Sequence, residues 1–599
     1  MDVQTQGSPR VETGTQGLRY GVFAVAAALL PIVAIVLMEV GLRTFGVADQ
    51  QTQVFVTADA AGDFLALNPD YVSRYFNGFV PGVPFTPFQA RKGPSTFRVF
   101  VLGGSTTAGF PYRFYHGFPG RLAGELEAAR FGQRVEVVNL GLSAVNSYTV
   151  LDLARAALDY EPDALVIYTG HNEYYGAFGT GSNEAGIGGV PWLKHLVIRL
   201  RRTVLFTLVE SLFRDPATPG PSERTLMAQV VRDADIRAGG EVFEAGIAQF
   251  ESNMGRVLQL AQDAEVPVFI GTLASNLAGQ PPLTDDPDAL TAFELGLVFL
   301  TEGNVDSARV ALERARELDG LRFRAPAAIN RWIRGQAPAY GATVVDIEGA
   351  FRRDSPGGIE GGDLFTDHLH PNARGYRIMA STFREHLGET ETSLTVHSDQ
   401  TLDQMDDAHA QLLISRLLGD YPFTKDATDQ EVTAAYESLL RRATKTGPGD
   451  SLAVLVIRGV AAFPPAQLRL SEILSARGDT LSSVRSYRSL LSWQPFNESL
   501  EKRVIEFGLQ SAVADPETDR VALAAVSKDP SLFNLNALAA TRLRQGLLGD
   551  AERVLVRAET LEPEDPTMLF NRARLWIQQG DTLAAREYFE RYQAARSSN

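Results

Sequence analysis

From residue 97 onward, short apolar runs alternate with amphipathic stretches, and five runs stand out, at residues 97–102, 135–138, 164–168, 266–270 and 342–345. Runs this rich in apolar residues need cover on both faces, and helical patterns at residues 121–130, 149–158 and 248–264 lie between them. The alternation predicts an α/β fold, a parallel sheet sandwiched by helices. Distinctive polar residues follow the runs: Ser105 after the first, Asn139 and Ser143 after the second, His171, Asn172 and Glu173 after the third, Asn276 after the fourth. Ligand crevices of open α/β sheets lie at those carboxyl ends.

Outside this domain the pattern changes twice. Residues 20–38, nineteen in all, carry no charge, and as a helix they match a hydrocarbon core ~30 Å thick. A cleaved signal peptide usually has a shorter apolar region ending at a small-residue site, whereas Glu39 and Arg43 follow here, so a transmembrane helix is expected. Arg10 and Arg19 on the short N-terminal side compete with Arg43; the orientation favoured leaves the large C-terminal part outside the cytoplasm. Pro69, Pro81, Pro84, Pro87 and Pro94 break the next segment, which reads as a stalk running into the first layer of the following domain. Near the other end, Gly546 and Ala551 recur 34 residues later as Gly580 and Ala585, while Gly478 precedes Gly546 by 68 residues and Pro495 precedes Pro563 by 68. A 34-residue period with small residues where helices touch marks tetratricopeptide repeats. Gly303 and Ala308 show the same Gly-to-Ala spacing inside an insertion between the fourth and fifth runs. The expected layout is an N-terminal tail (1–17), an anchor (18–40), a stalk (41–96), the α/β domain (97–390, with a helical insertion at about 288–335), a helical connector (391–463) and the repeats (464–599).

Composition narrows the chemistry. A chain of 599 residues, 45% hydrophobic and 21% charged, has the balance of two or three folded domains. A net charge of −16 argues against nucleic acid as a partner. The absence of cysteine removes disulfides, zinc thiolate clusters and a Cys nucleophile.

Ser105 stands on a strand-to-helix turn behind Gly103 and Gly104, where little bulk shields a hydroxyl; the alternative is that Ser105 and Thr106 only cap the next helix. Thr107 occupies the place of the second glycine of G-x-S-x-G, which disfavours an α/β-hydrolase elbow. Asp367, three residues before His370, can fix the tautomer of an imidazole acting as general base toward Ser105. His368 is expected to be a bystander pointing elsewhere, and the glycine-rich stretch at residues 355–362 to be a flexible loop carrying the base. Asn172 offers an uncharged amide donor for an oxyanion. Asp367, His368, His370, His171 and Glu173 could all ligate a metal, but a metallophosphoesterase would need an upstream Asp-x-His, which does not occur. No metal or other cofactor is expected. Residues 192–214 read as an apolar helix carrying Lys194, Arg199, Arg201, Arg202 and Arg214, for which a membrane-surface position, a lid over the site, or plain packing on the domain are the alternatives.

Taken in order, Gly103-Gly104-Ser105-Thr106, the loop Asn139 to Ala144, Gly170-His171-Asn172-Glu173 and Asp367-His368-Leu369-His370 resemble the four blocks of SGNH (GDSL-like) hydrolases. The resemblance implies a three-layer hydrolase domain with Ser105 as nucleophile, Asp367 and His370 as its partners, and an oxyanion hole formed by Asn172 and the backbone amides of Ser105 and Ala144. Gly104 stands where the family usually has Asp, and Ala144 where it has the second-block glycine; the amide of Ala144 is expected to survive the added methyl if φ is negative there. The protein expected on these grounds is a membrane-anchored, extracytoplasmic serine esterase acting through an acyl-enzyme on an O-acylated envelope glycan or lipid, with a protein partner on the repeats. An O-acyltransferase using the same site, or a noncatalytic scaffold, are the alternatives.

Overall fold

In a computed structural model, the described residues are 14–47, 52–76, 81–113, 115–182, 191–213, 225–232, 235–388, 394–395, 402–511, 514 and 516–598. The five apolar runs form one parallel sheet from β4 (Thr96–Gly103), β5 (Arg134–Asn139), β6 (Ala164–Tyr168), β7 (Val268–Gly271) and β8 (Thr343–Val345), in the order β5-β4-β6-β7-β8. Helices Phe118–Ala129, Ser147–Leu158, Glu241–Asp263 and Ala373–Leu387 flank it. Val99, Phe100, Val101 and Leu102 are all fully buried, as a strand covered on both faces requires.

The segment read as a stalk is folded. It contributes an antiparallel sheet of β1 (Phe55–Thr57), β2 (Phe64–Leu67) and β3 (Phe88–Gln89), and Tyr71, Tyr75 and Phe88 are buried in the same core as the main sheet. Pro69 opens the short helix Pro69–Val72, Pro81, Pro84 and Pro87 lie in the irregular run before β3, and Pro94 sits in the turn before β4. Residues 48–51 and 77–80 of this segment lie outside the described residues.

A helix runs over Gly14–Thr44 with Pro31 inside it, and its large apolar side chains, Phe23, Leu30 and Leu37 among them, are exposed. Among the described residues no helix is long and apolar enough to cross a membrane. The N-terminal tail and several side chains of the expected anchor lie outside the described residues.

The expected basic helix is two helices, Pro191–Leu200 and Val204–Phe213, and of its basic residues Arg199 is exposed. Lys194 is buried and donates to the carbonyl of Phe178 at 2.7 Å and to Gln249 Oε1 at 3.3 Å. Arg201 is buried, and Arg202 pairs with Asp152. Internal acceptors thus take up Lys194 and Arg202, and the exposed large apolar side chains of the pair are Trp192, Leu196, Leu200, Val209 and Leu212. Arg214 lies outside the described residues. The second helix is capped by the N-terminal one. Glu39 accepts from the amides of Val204 (3.0 Å) and Leu205 (2.9 Å), and Arg43 Nη2 donates to the carbonyl of Arg202 (3.0 Å).

The C-terminal region is a run of antiparallel helix pairs, including Phe463–Ala476 with Thr480–Trp493, Leu532–Arg544 with Leu548–Leu561, and Pro566–Gln579 with Thr582–Ser598. Gly478, Gly546 and Gly580 turn these pairs with φ of 74°, 75° and 87°, and Gly303 does the same, with φ of 76°, between the inserted helices Pro287–Thr301 and Val305–Leu318. Ala308 and Ala551 are fully buried where the helices touch. The spacing seen in the sequence is thus a left-handed turn followed by a close helix contact.

Candidate active site

β4 ends at Gly103, and Gly104 caps the one-turn helix Ser105–Ala108, so Ser105 is the first helical residue and not the cap. A side chain at Gly103 would collide with the carbonyl of Tyr168, which is why a glycine passes there. The hydroxyl of Ser105 turns to His370, with Oγ 2.7 Å from Nε2. His370 Nδ1 lies 2.6 Å from Asp367 Oδ2, and Asp367 Oδ1 accepts from the amides of Leu369 (2.9 Å) and His370 (2.8 Å). The carboxylate therefore fixes both the ring and the loop that carries it. The carboxyl of Asp367 is fully buried, which alone would raise its pKa; the His370 and His368 rings outweigh this and hold it well below the usual carboxylate range.

The flanking segments support this geometry. Asn276, after β7, donates from Nδ2 to the carbonyl of Asp367 (2.9 Å) and from its amide to the carbonyl of His368 (3.0 Å). Phe110 packs on the His370 ring at 4.6 Å between centroids. Asn139, the last residue of β5, accepts from the amide of Gly141 (2.8 Å) and donates to the carbonyl of Thr107 (3.0 Å), pinning the second polar loop against the serine turn. The glycine-rich stretch before Asp367 is packed, not loose: Glu360 is buried, 3.2 Å from Arg309, and its carbonyl accepts from the amides of Leu277 and Ala278.

Ser105, Ala144 and Asn172 line one cavity of about 380 Å³. Among the described residues, the amides of Ser105 and Ala144 and the side-chain amide of Asn172 make no hydrogen bond, so three donors are free toward it. Ala144 has φ of +56°, not the negative value expected. It takes the left-handed conformation that a glycine would occupy at no strain, and keeps the backbone path at a cost. Gly104 is shaped by the same group, since a Cβ there would lie 3.3 Å from Asn172 Nδ2.

One expectation about these side chains is corrected. His368 is no bystander: it is buried, lines the cavity, and places Nδ1 3.3 Å from Asp367 Oδ1. The loop is too tightly turned around Asp367 to send the ring elsewhere. Glu173 and His171 belong to the frame of the domain. Glu173 accepts from the Ser147 hydroxyl (2.6 Å) and from Gln249 Nε2 (2.5 Å), and burial pushes its carboxyl up to about 7. His171 accepts the amide of Ala325 at 3.2 Å, and burial lowers its pKa to about 3. Among the described residues one set of side chains could hold a metal, Asp367, His368 and His370. Both ring nitrogens of His370 are already engaged, by Ser105 and by Asp367, so a metal there would take the place of this hydrogen-bond chain.

Part of the cavity was not foreseen. Leu226, Met227 and Val230 come from the short helix Leu226–Val230, and Leu413, Arg416 and Leu417 from helix Gln404–Leu418, placed by the sequence in the connector. Helix Gln404–Leu418 carries no recognisable motif, and nothing in its sequence distinguishes Leu413 and Leu417 as cavity wall from core.

Residues 101–378 match the model of the GDSL-like Lipase/Acylhydrolase family. Comparison with curated proteins returns no match. Among solved structures, a GDSL-like lipase from Bacteroides thetaiotaomicron is 14% identical, with 48% of this chain and 87% of that one covered and a TM-score of 0.26. The acetyl xylan esterase AlAXEase is 15% identical, with 49% and 100% covered and a TM-score of 0.26. MamA (41-end) from Desulfovibrio magneticus is 18% identical, with 28% and 96% covered and a TM-score of 0.21. The hydroxyl–imidazole–carboxylate chain and the family match over the same residues make this α/β unit a GDSL-like SGNH hydrolase domain, that of a serine ester hydrolase.

Proposed function

We propose that the protein is a membrane-anchored esterase, outside the cytoplasm, that cleaves acylated envelope glycans or lipids. Ser105 is its nucleophile. As Oγ attacks the ester carbonyl, His370 Nε2 takes the hydroxyl proton and Asp367 stabilises the imidazolium through Nδ1. The carbonyl oxygen, now negative, is met by the amides of Ser105 and Ala144 and by Asn172 Nδ2. Collapse expels the alcohol, which receives the proton from His370; water then repeats the sequence on the acyl-enzyme and releases the acid.

The observation that carries this reading is the unbroken chain from Ser105 Oγ through His370 to Asp367, at 2.7 and 2.6 Å. A degenerate scaffold would have no need to keep it. Support for the anchor is the exposed apolar surface of the helix Gly14–Thr44, and support for tetratricopeptide repeats is the recurring glycine turn. A fluorophosphonate probe tests the chemistry: wild type should be labelled and Ser105→Ala should not, whereas unlabelled folded wild type would rule the esterase out. For the anchor, the full chain should stay with membranes in a carbonate wash, and release into the wash would remove it.

A further inference from the structure

We propose that helix Gln404–Leu418, contributed from beyond the hydrolase domain, is the far wall of an acyl-chain pocket, and that the ester cleaved carries an apolar acyl chain of several carbons rather than acetyl. This rests on the esterase reading above and names its substrate class. Beside the free donors of Ser105, Ala144 and Asn172, the cavity is bounded by Phe110, Met227, Phe323, Leu413 and Leu417. An acetyl group bonded to Ser105 would leave those side chains facing water, while a longer chain would cover them, and removal of apolar surface from water is the main source of affinity such a site offers.

The wall is held at both ends, so it is formed before substrate arrives. At its N-terminal end Asp406 accepts from the Tyr115 hydroxyl (2.7 Å) and from the Ser489 hydroxyl (2.8 Å). Just past its C-terminal end Asp420 Oδ2 accepts the amide of Thr225 (2.6 Å), and Phe423 packs on His368 at 5.4 Å. Thr225 leads directly into helix Leu226–Val230, so one carboxylate fastens the two helices that supply Met227, Leu413 and Leu417.

Two isomeric esters test the proposal on the purified full chain. Ethyl octanoate and octyl acetate have the same atoms and differ in which side of the ester bears the chain. kcat/KM should favour ethyl octanoate by about tenfold or more, since one methylene in an apolar pocket is worth about that. Leu413→Trp, which fills the pocket, should lower the ratio of ethyl octanoate to ethyl acetate turnover about tenfold. Leu413→Ala, which opens it, should shift preference toward dodecanoate. Preference for octyl acetate, equal use of ethyl acetate and ethyl octanoate, or a ratio unmoved in both Leu413 variants would overturn the pocket while leaving the esterase intact. No turnover of any ester, together with no probe on Ser105, would sink both.

Discussion

Asn172 presents its side-chain amide to the cavity with no competing partner among the described residues, so its value lies wholly in a charge that develops during reaction. Asn172→Ala should lower kcat by roughly 10²-fold with little change in KM; unchanged kcat would remove it from the oxyanion hole. His370→Ala should abolish measurable ester turnover. His368→Ala should retain turnover but slow it, because His368 helps hold the Asp367 carboxylate ionised; comparison of the two progress curves decides which imidazole is the base. Glu173 gives a pH prediction. Between its ordinary 4.5 and about 7 the folded state keeps a proton that the unfolded state has released. Stability from this group therefore falls as pH rises through that window and is lowest above it. Wild type should lose up to roughly 3 kcal/mol more than Glu173→Gln between about pH 5 and pH 8, read from urea midpoints. Ser105, Asp367, His370 and Asn172 were legible in the sequence because each follows a strand end or sits at a chemically meaningful spacing. The position of His368 was not, because ring orientation depends on the two amides that fold its loop around Asp367.

At the scale of elements, all five strands of the parallel sheet could be read from runs rich in apolar residues, although Arg98 and Glu136, buried and paired with each other, interrupt two of them. The three short antiparallel strands could not: β3 has two residues and β1 three, too few for a period to show. The burial of Lys194 was not legible either, because charge on an apolar helix reads as exposed unless an internal acceptor such as the Phe178 carbonyl is known. Ala144 supplies the test at this scale. An alanine at φ of +56° costs about 1–2 kcal/mol, partly offset by the extra freedom glycine has in the unfolded chain. Ala144→Gly should raise stability by about 0.5–1 kcal/mol with turnover preserved, whereas Ala144→Val, β-branched at positive φ, should lower both, as urea unfolding and ester assays would report.

Across the whole molecule, the hydrolase domain and the helical region keep separate cores and are joined by hydrogen bonds across their border. The hydroxyl of Ser527 accepts the amide of Val135 at 3.1 Å, Arg134 donates to the carbonyl of Lys528, and Asp406 is buried against Tyr115, His116 and Ser489. The sequence showed two regions by their different periods but held no sign of this junction, because a buried carboxylate and a surface one look alike in a sequence. Asp406→Ala leaves buried hydroxyls without their acceptor, and calorimetry should show one unfolding transition splitting into two; a single transition at unchanged temperature would mean that the junction does not depend on this group. The other junction, where Glu39 caps helix Val204–Phe213 and Arg43 reaches Arg202, has a mechanical meaning. A domain on a leash samples a hemisphere of orientations, so its active site visits every height within reach. Tied at two points to the end of its first helix, this one has that range narrowed, and the mouth of its site turns with the helix rather than free of it.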